Sequence, residues 1–445
     1  MRLLLAALAV LAVGATPALA EPTRAGSNLD KVLVIGTDGT RWDLLRAAIR
    51  SGKAPNLARL GRQGFARPSR LDYGPNVLTL SEVGWSSIAS GVWPDKHGVD
   101  GRKFNMDPGQ ATKNGYLDFI TRIEAAAPSL DTYLASDWAN LGTTENGGPI
   151  FGSAMDELFN VPIAEEKLEL WDAGDVQVTR AASRRLRRAD PDASFVYLGL
   201  VDETAHLVGS ATPAYADAIA TTDRRIGQLV RAVRSRPSYP FESWTILVTT
   251  DHGQRPLDEP SLASHLSQTP LEITVFVAGS GPGLGPRVKK PRVVDIAPTV
   301  LRQLGLPVRP AWKLDGRPLS RSRGASSALV AVRGSGAARR LAVSLRLGSA
   351  PAGVRSVVLR LPAGVEVAGS VRALVNGRPV SAAPSGPRTI VARFSARALR
   401  RLSLATAPGS IRVAAGVGGN GAAQATVILR GRKGSRGTLR VPLAD

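Results

Sequence analysis

The 445-residue sequence has no cysteine, and it is also poor in histidine (four residues), methionine (three) and aromatic residues (5%). The absence of cysteine excludes disulfides, thiolate metal ligands, a cysteine nucleophile and a lipid-modified cysteine. A metal site in this chain must therefore use imidazole and oxygen ligands. The length exceeds what a single hydrophobic core usually organises, so two folded units are expected.

Acidic residues are almost absent from the C-terminal region. From residue 321 onward, 21 lysines and arginines face only Glu366 and Asp445, a net charge of +19, which leaves +2 of the total +21 for the rest of the chain. This region has one aromatic residue, Phe394, so it lacks the stacking platforms of single-strand binders and gives no specific nucleic-acid signal. The charge predicts attraction to an anionic cell-envelope surface, and a merely solvated basic exterior is the alternative.

Long apolar runs are confined to the N-terminus. Residues 3–13 are continuously apolar, Arg2 precedes them, and small residues follow at 18–20. This pattern predicts a signal peptide over residues 1–20 and a protein that is secreted or periplasmic, at the cell envelope.

Residues 28–319 have the pattern of an α/β fold, with a central, mostly parallel sheet flanked by helices. Four short apolar runs predict buried parallel strands; they span residues 32–35, 195–200, 245–248 and 273–277. The first three runs end close to Asp38, Asp202 and Asp251, which places these carboxylates at the carboxyl edge of one sheet. The amphipathic segment Pro213–Arg234 predicts a helix packed on that sheet.

Composition changes after residue 319. Residues 320–336 are rich in Ser, Gly and Arg, which predicts a linker. Residues 337–445 contain short strand-like runs separated by turn signals such as Asn376-Gly377. They predict a small C-terminal all-β domain, an antiparallel sandwich.

Three of the four histidines lie near the aspartates that follow the strands. His206 is four residues after Asp202, His252 directly follows Asp251, and His265 is thirteen residues further on. Mixed imidazole and carboxylate ligands suit Zn²⁺, with Mn²⁺ as the second candidate, and two such ions can stabilise both oxygens in phosphoryl transfer. Ser81, ahead of a predicted short helix, is the candidate nucleophile, and Thr79 is the fallback.

These motifs resemble those of the alkaline phosphatase superfamily, and within it the type I phosphodiesterases and nucleotide pyrophosphatases, over residues 30–319. The similar segments, in family order, are 32–39, 81–98, 202–206, 250–253, His265, 295–301 and 314–319. The resemblance implies one metal bound by Asp202, His206 and His265, a second bound by Asp38, Asp251 and His252, and Ser81 as a metal-bound nucleophile. It also implies a phosphoseryl intermediate, so we expect a secreted two-metal hydrolase of phosphate esters, above all of phosphodiesters.

Two departures from the family pattern narrow the range of substrates that we expect. The nucleotide-cleaving members are similar to one another in a threonine nucleophile with an asparagine three positions later, where this chain has Ser81 and Gly84. The frame of the formylglycine sulfatases, C/S-x-P-x-R, is also absent after Ser81, which argues against sulfate esters. The alternatives are a phosphomonoesterase, phosphonate hydrolase or phosphoryl transferase at the same site, and a catalytically silent binding protein for anionic envelope polymers.

Further residues are assigned to the surroundings of the site. Trp85 and Asn105 are the candidate substrate-binding residues, with Lys103 as another candidate for the phosphate. Tyr116 and Trp138 could line the pocket, although simple packing is the alternative for both. His97 is expected to hydrogen-bond the loop behind the site.

Overall fold

The computed structural model describes residues 29–101, 109–143, 149–320, 327–347, 353–394, 399–414, 423–431 and 435–444. The predicted signal peptide lies outside the described residues. Lys103 and Asn105, in the range 102–108, also lie outside them. Within the described ranges no helix is both long and apolar enough to cross a membrane.

A seven-stranded sheet forms the centre of the N-terminal part. Its strands, in spatial order, are β2 (Phe65–Arg70), β7 (Thr274–Ser280), β6 (Ser243–Thr249), β1 (Asp30–Thr37), β5 (Ala193–Leu198), β3 (Thr132–Ser136) and β4 (Glu157–Asn160). From β6 to β4 all neighbours are parallel, which confirms the predicted α/β sheet and the first three strand predictions. The prediction that residues 273–277 form a parallel strand is wrong, because β7 runs antiparallel to β6 and β2 antiparallel to β7.

The orientation of β7 follows from the connection that precedes it. A parallel neighbour requires a crossover back to the other end of the sheet, usually made by a helix of several turns. The chain between β6 and β7 contains only one short helix, α10 (Pro270–Ile273), so it re-enters the sheet from the same edge.

Helices cover both faces of this sheet. In chain order they are α1 (Trp42–Ser51), α2 (Pro55–Gln63), α3 (Ser81–Ser90), α4 (Pro94–His97), α5 (Gly109–Lys113), α6 (Phe119–Ala126), α7 (Leu168–Arg188), α8 (Leu200–Leu207), α9 (Pro213–Arg234) and α11 (Ile296–Gln303). Strand β1 explains the two layers: Val32 and Val34 join the core under α3, α6 and α11, whereas Leu33 and Ile35 join the core under α1, α2 and α7 to α9. Side chains alternate between the faces of a strand, so a fully apolar strand supplies both cores.

The helix predicted at Pro213–Arg234 is confirmed as α9. Pro213 occupies its first turn, and the side chain of Thr212 accepts a hydrogen bond from the backbone N–H of Tyr215. Proline is tolerated at this position and a threonine cap satisfies a donor that the helix cannot, so the local sequence defines where α9 begins.

The C-terminal part is all-β, as predicted, but its strands close into a barrel and do not form an open sandwich. Its strands are β8 (Ser327–Arg333), β9 (Arg340–Arg346), β10 (Ser356–Arg360), β11 (Val365–Val367), β12 (Val371–Val375), β13 (Arg378–Pro384), β14 (Thr389–Arg393), β15 (Arg401–Thr406), β16 (Ile411–Val413), β17 (Gln424–Arg430) and β18 (Arg436–Ala444). The barrel order is β10-β14-β13-β12-β15-β9-β8-β18-β17, while β11 and β16 form a separate pair. Closure comes from the end of β18, where Leu443 and Ala444 pair in parallel with β8.

One sequence prediction, the linker, changes with the barrel. Part of the predicted linker 320–336 is the strand β8, which pairs along its length with β9 and so belongs to the barrel. The barrel core also includes Phe241, which lies just before β6 of the central sheet and packs against Gly431 and Gly437. The remaining domain boundaries stay a prediction.

Candidate active site

Three adjacent strands, β6, β1 and β5, bring the predicted carboxylates together at one edge of the sheet. Asp38 directly follows β1, Asp251 follows β6 by one residue, and Asp202 lies in the first turn of α8, which follows β5. All three side chains are buried. Because parallel strands end at the same edge, the chain gathers three carboxylates from positions that are spread over more than 200 residues of sequence.

The three histidines face this cluster through the same ring nitrogen. His206 Nδ1 lies 3.0 Å from the carbonyl oxygen of Ser261, His252 Nδ1 lies 3.0 Å from that of Gly253, and His265 Nδ1 contacts that of Thr79. A carbonyl oxygen only accepts, so each Nδ1 must carry the proton and donate it. In each ring, when neutral, the Nε2 atom is left with a lone pair directed at the cluster, which is how a protein orients imidazole metal ligands.

Two groups of ligand atoms could each hold a metal ion. Asp38, Asp251 and His252 form one group, and Asp202, His252 and His265 form the other, with ligand atoms within 4.8 Å of one another in each. The first group is the set expected from the family resemblance. The second has His252 in the place expected for His206.

His206 nevertheless reaches the second group. Its Nε2 lies 3.0 Å from Asp202 Oδ2 and 3.1 Å from His265 Nε2. Burial opposes protonation of His206, but the adjacent Asp202 outweighs burial and raises the pKa of His206 to about 10. A proton or a metal ion between these nitrogens serves the same purpose, since two lone pairs facing each other at this distance repel. Metal binding by all six residues stays a prediction.

The electrostatics of the cluster fit a divalent cation. Burial raises the pKa of Asp38 to about 6, and burial together with the nearby Asp38 and Asp202 holds that of Asp251 well above its usual range. Asp251 Oδ2 is buried and has no hydrogen-bond donor among the described residues. Such an orphaned carboxylate oxygen is costly unless a cation neutralises it, and imidazole plus carboxylate is the donor set that Zn²⁺ accepts.

Ser81 lies at the edge of the cluster as the first residue of α3. Its Oγ is 3.2 Å from His252 Nε2 and 3.4 Å from Asp38 Oδ1. The first turn of a helix presents N–H groups without intrahelical acceptors, which favours a phosphoryl group there. Thr79, the fallback nucleophile, is buried and donates its hydroxyl to the carbonyl oxygen of His265, so it is engaged elsewhere.

Gly84 explains why α3 can approach the cluster of carboxylates and imidazoles. A Cβ on Gly84 would lie 2.6 Å from the Cβ of Asp251 and 2.9 Å from its carbonyl oxygen. Both contacts are shorter than van der Waals distances, and the second involves rigid backbone. The asparagine that nucleotide-cleaving relatives have at this position therefore does not fit this chain without moving α3 or Asp251.

Several residues around the cluster were not predicted from the sequence. Tyr197, on β5, donates its hydroxyl to Asp38 Oδ2 at 2.6 Å, and Gln254 donates its side-chain amide to Asp202 Oδ1. Glu82, beside the nucleophile, accepts a hydrogen bond from Asn140, and burial raises the pKa of Glu82 to about 6. No motif marks these residues, although Gln254 lies two positions after His252 in the same segment.

The prediction that Trp85 binds substrate is wrong. Its side chain is fully buried in the core beneath the cluster, and its indole N–H donates to Asp38 Oδ2 at 2.9 Å. Trp85 and Tyr197 together engage Oδ2 and leave Oδ1 of Asp38 facing Ser81 and His252. Trp85 therefore positions the carboxylate of Asp38, a predicted metal ligand.

The structure also places the remaining predicted residues. His97 Nε2 lies 2.9 Å from Ser87 Oγ and its Nδ1 accepts from the backbone N–H of Val99, so it ties a loop to the buried side of α3 as expected. Trp138 is partly buried and stacks on Tyr197, which is the packing alternative. Tyr116 is half-buried in the segment between α5 and α6.

A parallel sheet whose carboxyl edge gathers carboxylates and imidazoles around a serine hydroxyl is the architecture of an alkaline-phosphatase-like phosphoric ester hydrolase. A sequence model of the type I phosphodiesterase / nucleotide pyrophosphatase family matches residues 32–298 of the chain. The chain belongs to this family. The resemblance inferred from the motifs is thereby confirmed, as is the assignment to phosphoric ester hydrolases.

Solved structures with similar folds have low sequence identity. Murine ectonucleotide pyrophosphatase/phosphodiesterase 5 is 16% identical, with a TM-score of 0.41 over 63% of this chain and 96% of that one. A Vibrio parahaemolyticus protein of the alkaline phosphatase superfamily is 14% identical (TM-score 0.43; 76% and 82%), and a Bacteroides thetaiotaomicron protein described as a putative sulfatase is 12% identical (TM-score 0.48; 74% and 82%). At such identities none of these similarities assigns a substrate.

Proposed function

We propose that the protein is a secreted or periplasmic, metal-dependent phosphodiesterase that works through a phosphoseryl intermediate on Ser81. One observation carries the proposal: Ser81 Oγ lies within 3.4 Å of both His252 Nε2 and Asp38 Oδ1, at the N-terminus of a helix. Two divalent ions, Zn²⁺ first and Mn²⁺ second, held by the six ligand residues, would acidify the serine hydroxyl and neutralise charge on the phosphate.

The protein's own residues account for the two halves of the reaction. Ser81 Oγ attacks phosphorus, the bond to the leaving alcohol breaks, and the phosphoryl group is transferred to the serine. The N–H groups of the first turn of α3 stabilise the charge on the phosphoryl oxygens. A water molecule then attacks from the opposite side, which releases phosphate monoester and restores the serine.

Glu82 favours diesters over monoesters. Its carboxylate lies in the first turn of α3 next to the nucleophile, close enough to Asp38 and Asp202 for their charges to act on it. A negative charge at this place repels a dianionic phosphomonoester more strongly than a monoanionic phosphodiester. This charge supports a diesterase over a phosphomonoesterase, whereas a phosphonate hydrolase or phosphoryl transferase at the same site stays an alternative.

Hydrolysis of bis-p-nitrophenyl phosphate and of p-nitrophenyl phosphate by the zinc-loaded protein tests the proposal. We expect a higher kcat/KM for the diester, loss of turnover in Ser81→Ala, and a fall in the diester-to-monoester ratio in Glu82→Gln. Equal turnover by Ser81→Ala would overturn the phosphoseryl mechanism. No turnover of either substrate by the zinc-loaded protein would favour the silent binding protein.

Location and surface attachment are part of the same proposal. Cleavage after residue 20 is testable by the N-terminal mass of protein recovered from the periplasm or the culture medium. The +19 charge of the region from residue 321 onward supports retention at an anionic envelope surface. Sedimentation with anionic lipid vesicles, lost in high salt and absent with neutral vesicles, tests that attachment.

A further inference from the structure

A cavity of about 530 Å³ opens between α7 and α9, on a part of the molecule that the proposed reaction does not use. Its lining contains three exposed arginines, Arg180 and Arg187 from α7 and Arg231 from α9. None of the described residues that line the cavity is acidic. The two helices pack side by side, so the arginines converge on one space from both walls.

The charges of these three arginines are available to a ligand. Within the described ranges no carboxylate forms a salt bridge with Arg180, Arg187 or Arg231. Arg225, which also lines the cavity, is different: its guanidinium donates to Asp175 Oδ2 at 2.7 Å and also pairs with Asp172. Carboxylates therefore neutralise the arginine in the wall of the cavity, whereas the three exposed arginines form no salt bridge within the described ranges.

Two buried hydroxyls in the lining lack partners. Thr179 is 1% exposed and its Oγ1 has no hydrogen-bond partner among the described residues, and the same is true of Ser183 Oγ. A threonine or serine inside a helix usually bonds the carbonyl four residues earlier, and a buried hydroxyl without a partner costs about 1–3 kcal/mol. These donors, one turn apart on α7, are therefore suited to a ligand that supplies acceptor oxygens.

The dimensions indicate a compact ligand. Arg231 also borders a second depression, on the other side of α9, but that space measures only about 20 Å³ and cannot continue a binding path for a long polymer. Guanidinium and hydroxyl donors in a lining without carboxylates favour tetrahedral oxyanions, which accept several hydrogen bonds at once.

We propose that the α7–α9 cavity is a non-catalytic binding site for a compact anion that carries two or more phosphate or sulfate groups. The anionic groups contact Arg180, Arg187 and Arg231, and one of them accepts hydrogen bonds from Thr179 and Ser183. This site is separate from the Ser81 cluster and does not depend on the function proposed for it.

Calorimetric titration of the metal-loaded full-length chain with the Ser81→Ala substitution tests the proposal, since this variant cannot turn over a phosphate ester. The sulfonate probe is naphthalene-1,3,6-trisulfonate and the phosphate probe is fructose 1,6-bisphosphate. Arg180→Ala/Arg231→Ala removes two charges from the cavity. The matched control, Arg184→Ala/Arg224→Ala, removes two exposed charges from the same helices outside it.

We expect the cavity variant to weaken binding of at least one probe tenfold or more and the control to change it less than twofold. Thr179→Val, which keeps the shape and removes the hydroxyl, should weaken the same probe about threefold. The stronger probe identifies phosphate or sulfate as the preferred group. Three results would overturn the proposal. Equal weakening of probe binding by both arginine pairs would show that only the general positive charge of the two helices matters. Unchanged binding in both variants would place the anion at the catalytic site, and no binding of either probe would show that the cavity is not an anion site.

Discussion

At the scale of single residues, hydrogen bonds to one atom of each candidate ligand side chain determine which other atom faces the cluster. Oδ2 of Asp38 accepts hydrogen bonds from Trp85 and Tyr197, so only Oδ1 remains for the cluster. The Nδ1 protons of the three histidines are held by backbone carbonyls. Each candidate ligand is thus held in one orientation, which would reduce the entropy lost on metal binding.

The hydroxyl of Tyr197 should contribute directly to metal affinity. In Tyr197→Phe the 2.6 Å bond to Asp38 is lost, so the carboxylate is less well oriented and its pKa rises further. We expect metal affinity to fall by about 10–100-fold, as for other outer ligand partners. Competition with a chelating indicator measures it. Tyr133→Phe, a buried tyrosine on the neighbouring strand β3, is the control and should leave the affinity unchanged.

Gly84 should be intolerant of any side chain. The Cβ in Gly84→Ala would meet Asp251 at 2.6 Å and displace either α3, with its nucleophile, or a ligand carboxylate. We expect kcat to fall at least tenfold, because displacements near 1 Å have such effects. Gly285→Ala introduces the same methyl group where no atom lies within 4 Å and should have wild-type kcat. Normal kcat in Gly84→Ala would mean that the site adapts to the methyl group.

His97 should make stability depend on pH in the acid range. Burial lowers the pKa of His97 to about 3, so the folded protein holds it neutral while the unfolded chain protonates near 6.5. Its contribution is therefore complete above pH 6.5 and is lost as the pH falls toward 3. Between pH 7 and pH 5 the loss is about 2 kcal/mol, so the fall in the free energy of unfolding over this range, measured with urea, should be larger in wild type than in His97→Gln by about this amount. Parallel pH profiles of the two proteins would contradict the assignment.

At the scale of elements, continuous apolar runs predicted the strands that carry the site. A strand that is buried on both faces is apolar at successive positions, so it stands out in the sequence. The same runs could not give the orientation of β7, which depends on the connection before it. Strands β15 and β18 were not predicted, since β15 has only two large apolar residues, Leu402 and Leu404, and β18 contains Gly437 and Pro442. The roles of Tyr197 and Gln254 were not predicted because their hydrogen-bond partners, Asp38 and Asp202, are remote in sequence.

The start of α9 should be sensitive to its cap. Thr212→Ala removes the acceptor for the Tyr215 N–H, and we expect the free energy of unfolding to fall by about 1 kcal/mol. Thr212→Ser keeps the hydroxyl and should cost much less. Chemical denaturation of both variants measures the difference, and equal values would show that Pro213 alone defines this helix end.

At the scale of the whole molecule, the α/β part and the barrel share a buried residue. Phe241 precedes β6, the strand that leads to Asp251, yet it belongs to the core of the barrel. A Cβ on either Gly431 or Gly437 would lie 2.8 Å from a carbon atom of its side chain. Since the backbone of Phe241 leads into β6 while its ring belongs to the barrel core, the two parts should unfold as one cooperative transition.

Phe241→Ala tests this coupling. Removing the ring leaves a cavity between the barrel and the sheet, and we expect a loss of about 3–5 kcal/mol together with the splitting of one calorimetric transition into two. Phe119→Ala, which removes a buried ring from the α/β core alone, should lower stability by a similar amount without separating barrel unfolding from the rest in the same way. Two transitions already present in the wild-type protein would show instead that the barrel is an independent unit and that Phe241 only covers its end.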